Sequence, residues 1–319
     1  MKIFFALFLF VLSVQAEPLI IAHRGASGHR PEHTLEAYSL AIEMGADFIE
    51  PDLVLTQDGV LIARHENEIS LTTNAAEIYP HKKTTKIIDG EKVSGIFAED
   101  LTLGEIKKLK ARQRVFSRLK KYDDKYSIPT FEEVIQLAQS RNVGIYPEMK
   151  HPTYFETLKP SQISMIDEVA RILKKYGYDK KTDQVFVQSF ELSALKKLKT
   201  QIEVPFVFLL GNKKEVAFDT KGTEKEMKYG QYVKSPADFK KLKEWVVGLG
   251  PHKTYLDDAN FMKNALEVGL KIHPYTFREG DTQNEYIKFY KAGVHGVFSD
   301  FPDEALKFKK IHLLQRPAR

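Results

Sequence analysis

Two kinds of stretch alternate along the chain. Short, nearly continuous apolar runs recur: "LIIAHRG", "FIEPDLVLT", "VGIYPEMK", "VFVQSF", "PFVFLL", "VVGLG", "KIHPYTF" and "GVHGVFSD". They are rich in β-branched and aromatic residues, as strands covered on both faces are. Between them the apolar positions fall at helical spacing. In "TLEAYSLAIEMGA", Leu35, Tyr38, Ala41 and Ile42 form one stripe, with Thr34 at the N-cap position and Gly45 near the end. "TFEEVIQLAQSRN", "ISMIDEVARILKKYGY", "ELSALKKLKTQ", "SPADFKKLKEW", "NFMKNALEVGL" and "EYIKFYKAG" repeat the logic, and "PDEALKFKKIHLL" follows the last run. Eight strands, each followed by a helix, predict an α/β chain folded as a (β/α)8 TIM barrel. A doubly wound open sheet is the alternative.

The period breaks after the second run. "TQDG" leading into "VLIARH" predicts a tight turn and an extra strand, a β-hairpin rising from the exit of strand 2. Residues 66–127 then read as a long polar insertion in which "TLGEIKKLK" is the clear helix. Insertions at such exits commonly form lids or binding loops. With no linker, repeat or low-complexity tract in view, residues 17–319 read as one catalytic barrel domain.

Residues 1–16, "MKIFFALFLFVLSVQA", are a different kind of segment. Lys2 precedes an apolar core from Ile3 to Leu12, and Val14-Gln15-Ala16 offers a cleavage site. This is the form of a secretory signal peptide cut after Ala16. The apolar run falls short of the ~20 residues a membrane span needs. The chain of 319 residues contains no cysteine, so a secreted product would be held by its core alone, and a lipid-modified cysteine is excluded. The expectation is a periplasmic protein without a stable membrane anchor.

Composition adds little beyond this. Hydrophobic residues at 43% and charged residues at 29% are an ordinary globular balance. The net charge of +5 is spread over helical faces such as "FKKLKEW", which excludes a dedicated nucleic-acid stripe and favours a small anionic substrate.

In a barrel of this kind the active site lies at the C-terminal strand ends. Strand 1 ends in His23-Arg24, strand 2 carries Glu50-Pro51-Asp52, and the hairpin ends in His65. Strand 3 ends in Glu148-Met149-Lys150, strand 4 in Gln188-Ser189, strand 7 in Tyr275, and strand 8 in Ser299-Asp300. Polar groups on buried strands are costly unless paired, so their recurrence at one end is the signal. Glu50 and Asp52 share a strand face, and Glu148 joins them from the next strand. Three carboxylates without cysteine make a hard oxygen site suited to Ca²⁺, with Mg²⁺ as the second choice. The alternative is a salt-bridge network with Arg24 and Lys150. His23 and His65 can transfer protons near neutrality, although a lone histidine at a strand end is often structural. Arg24 offers a planar fork for a phosphate, and Lys150 a second positive contact. The set suits metal-assisted hydrolysis of a phosphodiester.

"AHRGASGHRPEHT", "EPD", "YPEMKHP", "VQSF", "HPYTFR" and "GVFSDFPD" together resemble the glycerophosphodiester phosphodiesterase family, in its secreted type, over nearly the whole mature chain. The resemblance implies hydrolysis of deacylated phospholipids, such as glycerophosphocholine and glycerophosphoethanolamine, to sn-glycerol 3-phosphate and an alcohol. It implies Ca²⁺ on Glu50, Asp52 and Glu148, His23 and His65 as the acid–base pair, and Arg24 on the phosphate. Lys150 matches a position near the phosphate, and Gln188, Tyr275 and Phe277 match lining positions. Glu32 and His33 fall in a family motif and are read as shaping the loop after strand 1. Glu66 stands where the family often has aspartate, and Leu71 where an arginine usually precedes the threonine pair; both departures bear on head-group preference or rate. Two competing readings share the barrel. One is a phospholipase D-like lyase that cyclises its substrate; the other is a surface binding protein, which loss of a metal carboxylate would favour.

Overall fold

The computed structural model describes residues 17–158, 163–180 and 184–315. The proposed leader, residues 1–16, lies outside them. The strands in chain order are β1 (Leu19–His23), β2 (Phe48–Glu50), β3 (Asp52–Leu55), β4 (Leu61–Ala63), β5 (Thr84–Ile88), β6 (Glu91–Gly95), β7 (Gly144–Ile145), β8 (Glu148–Met149), β9 (Val187–Ser189), β10 (Phe206–Leu210), β11 (Gly248–Pro251), β12 (Lys271–Ile272) and β13 (Gly296–Ser299).

Eight of the staves so formed close into a parallel barrel, with β2–β3 one stave and β7–β8 another. The ring runs β1, β2–β3, β7–β8, β9, β10, β11, β12, β13 and back to β1. A bridge from Phe277 to Ser299 completes the closure beyond β12. The predicted (β/α)8 architecture is therefore the observed one. The helices fall where the apolar stripes place them. Thr34 caps Leu35–Glu43, its hydroxyl accepting from the Ala37 N–H, and Thr130 and Glu133 form a reciprocal cap on Phe131–Ser140.

Both interrupted staves break at a proline. Ile49 faces Ile145 and Asp52 faces Glu148, so Pro51 and Pro147 lie side by side in register. Neither has an N–H to give the ladder.

β4 runs antiparallel to β3 through the tight turn at Gly59 (φ +77), the hairpin the sequence predicts. The insertion is more ordered than its polarity suggests. Helix in "TLGEIKKLK" is confined to Leu103–Ile106, shorter than expected. A second hairpin, β5–β6, turns at Asp89 (φ +47) and Gly90 (φ +78). Asp-Gly between two β-rich runs is a strong hairpin signal, and "IIDGEKV" carries it. Among the described residues no helix is long and apolar enough to cross a membrane.

Candidate active site

Side chains two apart on a strand share a face, and in a barrel one face is the bore. Ile21, Phe48, Tyr146, Phe186, Val207 and Phe298 pack together there as one buried cluster. Tyr146 stacks on Phe186 with centroids 5.0 Å apart and meets Phe298 edge-on at the same spacing. This is a dry floor. Two residues further along the same strands come His23, Glu50, Glu148, Gln188 and Asp300, all buried. The sequence thus turns the bore from apolar to polar at one level.

Glu50, Asp52 and Glu148 each offer an oxygen, and these oxygens lie within 4.8 Å of one another. Glu50 accepts from the Arg24 N–H at 2.8 Å and from the Gln188 amide at 3.1 Å. Asp52 Oδ2 lies 2.9 Å from His33 Nε2, while Asp52 Oδ1 is buried with no hydrogen-bond partner. Glu148 lies 2.9 Å from Lys150 Nζ. Burial and the neighbouring carboxylates push Glu50 well above its usual range. Burial pushes Glu148 up to about 8, with Lys150 pulling the other way. Burial also acts on Asp52, but the hydrogen bond from His33 overcomes it and holds that carboxylate well below its usual range. Three crowded oxygens and an orphaned one are what a hard cation would satisfy, and Oε1 of Gln188, also buried without a partner, adds a neutral oxygen donor.

The loop after β1 explains the His-Arg-Gly sequence. Arg24 and Gly25 both take left-handed backbone, with φ +62 and +82. A Cβ on Gly25 would lie 2.7 Å from the Ala37 backbone, so only glycine fits. The turn brings Arg24 back over the carboxylates, with Nε 3.3 Å from Asp52 and Nη1 3.3 Å from Glu32. Burial opposes its charge, yet Glu32, Asp52 and Glu50 together hold the guanidinium more firmly protonated than usual. Glu32 also pairs with Arg114 at 2.9 Å, and His33 reaches Tyr38 at 2.7 Å. Arg64, wholly buried, donates to the carbonyls of Glu32, His33 and Thr72 and so ties this loop to the end of β4. Glu32 and His33 therefore do shape the loop, through direct contacts to Arg24 and Asp52.

The two histidines have different surroundings. His23 Nδ1 lies 2.5 Å from Asp300, whose other oxygen lies 2.5 Å from Arg118. Burial and Arg24 lower His23, and Asp300 works against them. His65 Nε2 lies 3.5 Å from Lys150, and its Nδ1 lies 2.6 Å from Glu66. Burial, Arg24 and Lys150 lower His65 to about 3, which leaves it neutral at physiological pH.

His23, Arg24 and His65 line two neighbouring spaces. An inner one of about 130 Å³ includes Glu50, Glu148, Gln188 and Tyr275 in its wall. An outer one of about 730 Å³ is walled by Leu71, Arg114, Val115 and Arg118 of the insertion, and by Arg278. Tyr275 donates its hydroxyl to the Leu210 carbonyl at 2.8 Å. Phe277 is a correction. Its ring is fully buried and stacked on Tyr286 at 4.3 Å, packed toward the helix at Gln283–Lys291. The resemblance alone places it in the wall; the regular strand ends at Ile272, and Thr276 and Arg278 face the cavity instead. Sequence reasoning also missed Arg118, Arg114 and Arg278. Asp300 was visible as a strand-end acid, but its pairing with Arg118 spans 182 residues and leaves no local trace.

Barrel and mouth together make a site suited to a phosphoric diester. Residues 23–304 match the glycerophosphoryl diester phosphodiesterase family, and the chain belongs to it. It is 33% identical to the glycerophosphodiester phosphodiesterase GDPD6 of Arabidopsis thaliana, over 93% of this chain and 87% of that protein. With the Haemophilus influenzae glycerophosphodiester phosphodiesterase the identity is 31%, over 93% and 91%. The fold is similar to an Oleispira antarctica phosphodiesterase solved in complex with the product sn-glycerol-3-phosphate (TM-score 0.66, 22% identity, 92% of this chain and 97% of that one). The Thermotoga maritima glycerophosphodiester phosphodiesterase matches at TM-score 0.61 and 18% identity, over 92% and 98%.

Proposed function

We propose that the chain hydrolyses glycerophosphodiesters, such as glycerophosphocholine and glycerophosphoethanolamine, to sn-glycerol 3-phosphate and the free alcohol. The observation that carries this is the convergence of Glu50, Asp52 and Glu148 beneath a cavity that His23, Arg24 and His65 line. The Oleispira antarctica product complex supports the product class.

Glu50, Asp52 and Glu148 are the residues that would hold a divalent cation, Ca²⁺ before Mg²⁺, which when bound supplies positive charge to the phosphoryl oxygens. Arg24, held protonated by three carboxylates, grips the same phosphate through its free edge. Lys150 adds charge beside His65. His65, neutral, accepts the proton of the attacking oxygen at Nε2. His23, whose protonated form Asp300 supports, gives a proton to the departing alkoxide. Asp300, hydrogen-bonded to His23 Nδ1, leaves Nε2 of that ring to face the phosphate, and Glu66 stands beside Nδ1 of His65. Gln188 and Tyr275 shape the wall of the inner space.

The test is release of sn-glycerol 3-phosphate from glycerophosphocholine by the purified mature chain, with Ca²⁺, with chelator, and with His23→Ala. Metal-dependent release that disappears in the variant is the expected result. No release by folded, calcium-loaded protein would refute the reading for that substrate, and a cyclic phosphate product would establish the lyase instead.

A further inference from the structure

Glu66 begins the insertion, and its side chain is 45% exposed. A half-exposed carboxylate ordinarily samples several rotamers. This one is held. Its Oε2 lies 3.0 Å from His151 Nε2, and its Oε1 is left facing His65 Nδ1 at 2.6 Å, a close but off-line contact. His151 Nδ1 in turn lies 2.6 Å from Asp89 Oδ2. His151 itself is well buried, with its side chain 11% exposed.

The chemistry of the central ring follows from its partners. Each nitrogen of His151 faces a carboxylate, and a carboxylate only accepts. Both nitrogens must therefore carry hydrogen, which makes the ring an imidazolium. Burial opposes that charge, but the hydrogen bonds to Asp89 and Glu66 raise it to about 9. Without Asp89 one nitrogen has no reason to stay protonated, and the grip on Glu66 weakens from charge-assisted to ordinary.

Asp89 is the turn residue at the tip of β5–β6. On its second side Glu91 lies 2.8 Å from Lys221, which belongs to the loop that follows β10. The hairpin tip thus meets the rest of the fold at both flanks of its turn, through the buried Asp89–His151 pair and the exposed Glu91–Lys221 pair.

We propose that Asp89 and His151 are positioning residues: the line Asp89–His151–Glu66–His65 carries the placement of the insertion hairpin to the ring of His65. This rests on the reading of His65 as a proton carrier. A carboxylate aimed by an imidazolium orients the reacting histidine more narrowly than one left to solvent. A misplacement of the order of 1 Å in such a group costs up to about a hundredfold in rate.

The test is Asp89→Asn, Glu66→Gln and the double variant in the full chain, assayed on glycerophosphocholine with saturating Ca²⁺. Asparagine tolerates the left-handed turn, so the hairpin is kept. Asp89→Asn should lower kcat about tenfold with KM within about twofold, and should lower melting by a few degrees at pH 7.5, a difference that fades toward pH 9 and above as wild-type His151 also loses its proton. The double variant should be no slower than Glu66→Gln alone, because both changes break one line. Nitrogen-15 spectra of labelled histidine should show His151 doubly protonated at pH 7.5 in the wild type and singly in Asp89→Asn. Unchanged kcat in Asp89→Asn, losses that multiply in the double variant, or a singly protonated wild-type His151 would each overturn the proposal. Normal turnover by His65→Ala would instead overturn the role of His65 itself.

Discussion

Glu148→Gln should make the metal-free protein more stable and the enzyme inactive. The three carboxylate oxygens lie within 4.8 Å. At an effective dielectric of ~20, two charges that far apart repel by about 3–4 kcal/mol. Burial, with Lys150 opposing and Asp52 assisting, moves Glu148 from its ordinary 4.5 up to about 8. The unfolded chain releases this proton at the ordinary value, while the folded metal-free chain keeps it. Stability is therefore whole below about pH 4.5 and is lost as pH rises toward about 8. Each pH unit in that window costs about 1.4 kcal/mol, or about 3 kcal/mol by pH 7. Glutamine has no proton to lose. In chelator the variant should match wild type near pH 4.5 and exceed it by about 3 kcal/mol at pH 7, a rise of several degrees in melting temperature. Added Ca²⁺ at a hundred times its dissociation constant should return about 2.7 kcal/mol to wild type and far less to the variant. Turnover should fall at least about a hundredfold. The assay is thermal unfolding from pH 4.5 to 8.5 with chelator and with Ca²⁺. A variant that melts at or below wild type in chelator at pH 7, or whose advantage does not grow with pH, would refute the crowding reasoning.

Asp300→Asn should cost about 3 kcal/mol in urea unfolding, because it leaves the buried Arg118 guanidinium without its carboxylate, and should lower kcat by at least about a hundredfold through His23; retention of either would contradict the pairing. Gly25→Ala should destabilise by about 3 kcal/mol, since φ is +82 and the added carbon meets the Ala37 backbone at 2.7 Å, and an unmoved unfolding midpoint would show the loop to be softer than drawn. His151, raised from 6.5 to about 9, contributes stability that is whole below about pH 6.5 and lost as pH rises through 9, of order 3 kcal/mol, and that part of the decline should be missing from His151→Asn. Expression of the full chain in a Gram-negative host should yield periplasmic protein beginning at Glu17, which N-terminal sequencing of the osmotic-shock fraction checks.

What was legible in the sequence follows the range of the forces involved. Alternation within a strand is local, so Glu50 and Asp52 could be placed on one face from the sequence alone, and the floor of Phe48 and Tyr146 follows the same rule. The helix starts at Thr34 and Thr130 are equally local. Phe277, which the family resemblance put in the wall, lies where the chain has left the regular ladder, so its direction is set by packing against Tyr286. The insertion was illegible for another reason. Its partners are distant: Arg118 with Asp300, Arg114 with Glu32, Asp89 with His151. Polar side chains fixed by such contacts look like any solvated loop until the barrel has brought both ends together. The helix read in "TLGEIKKLK" and the turn at Asp89-Gly90 were the local signs that the insertion holds structure.

The paired prolines at the waist of the barrel have a consequence of their own. Pro51 stands beside the end of β1, where a residue with an N–H would extend the ladder by one rung. Lacking that hydrogen, it leaves the Arg24 carbonyl unclaimed by the sheet, and the His33 N–H takes it at 3.1 Å. The first strand is thereby released one residue past His23, and the chain can fold back over the mouth. A missing hydrogen atom marks the border at which the scaffold stops zipping and the working surface begins.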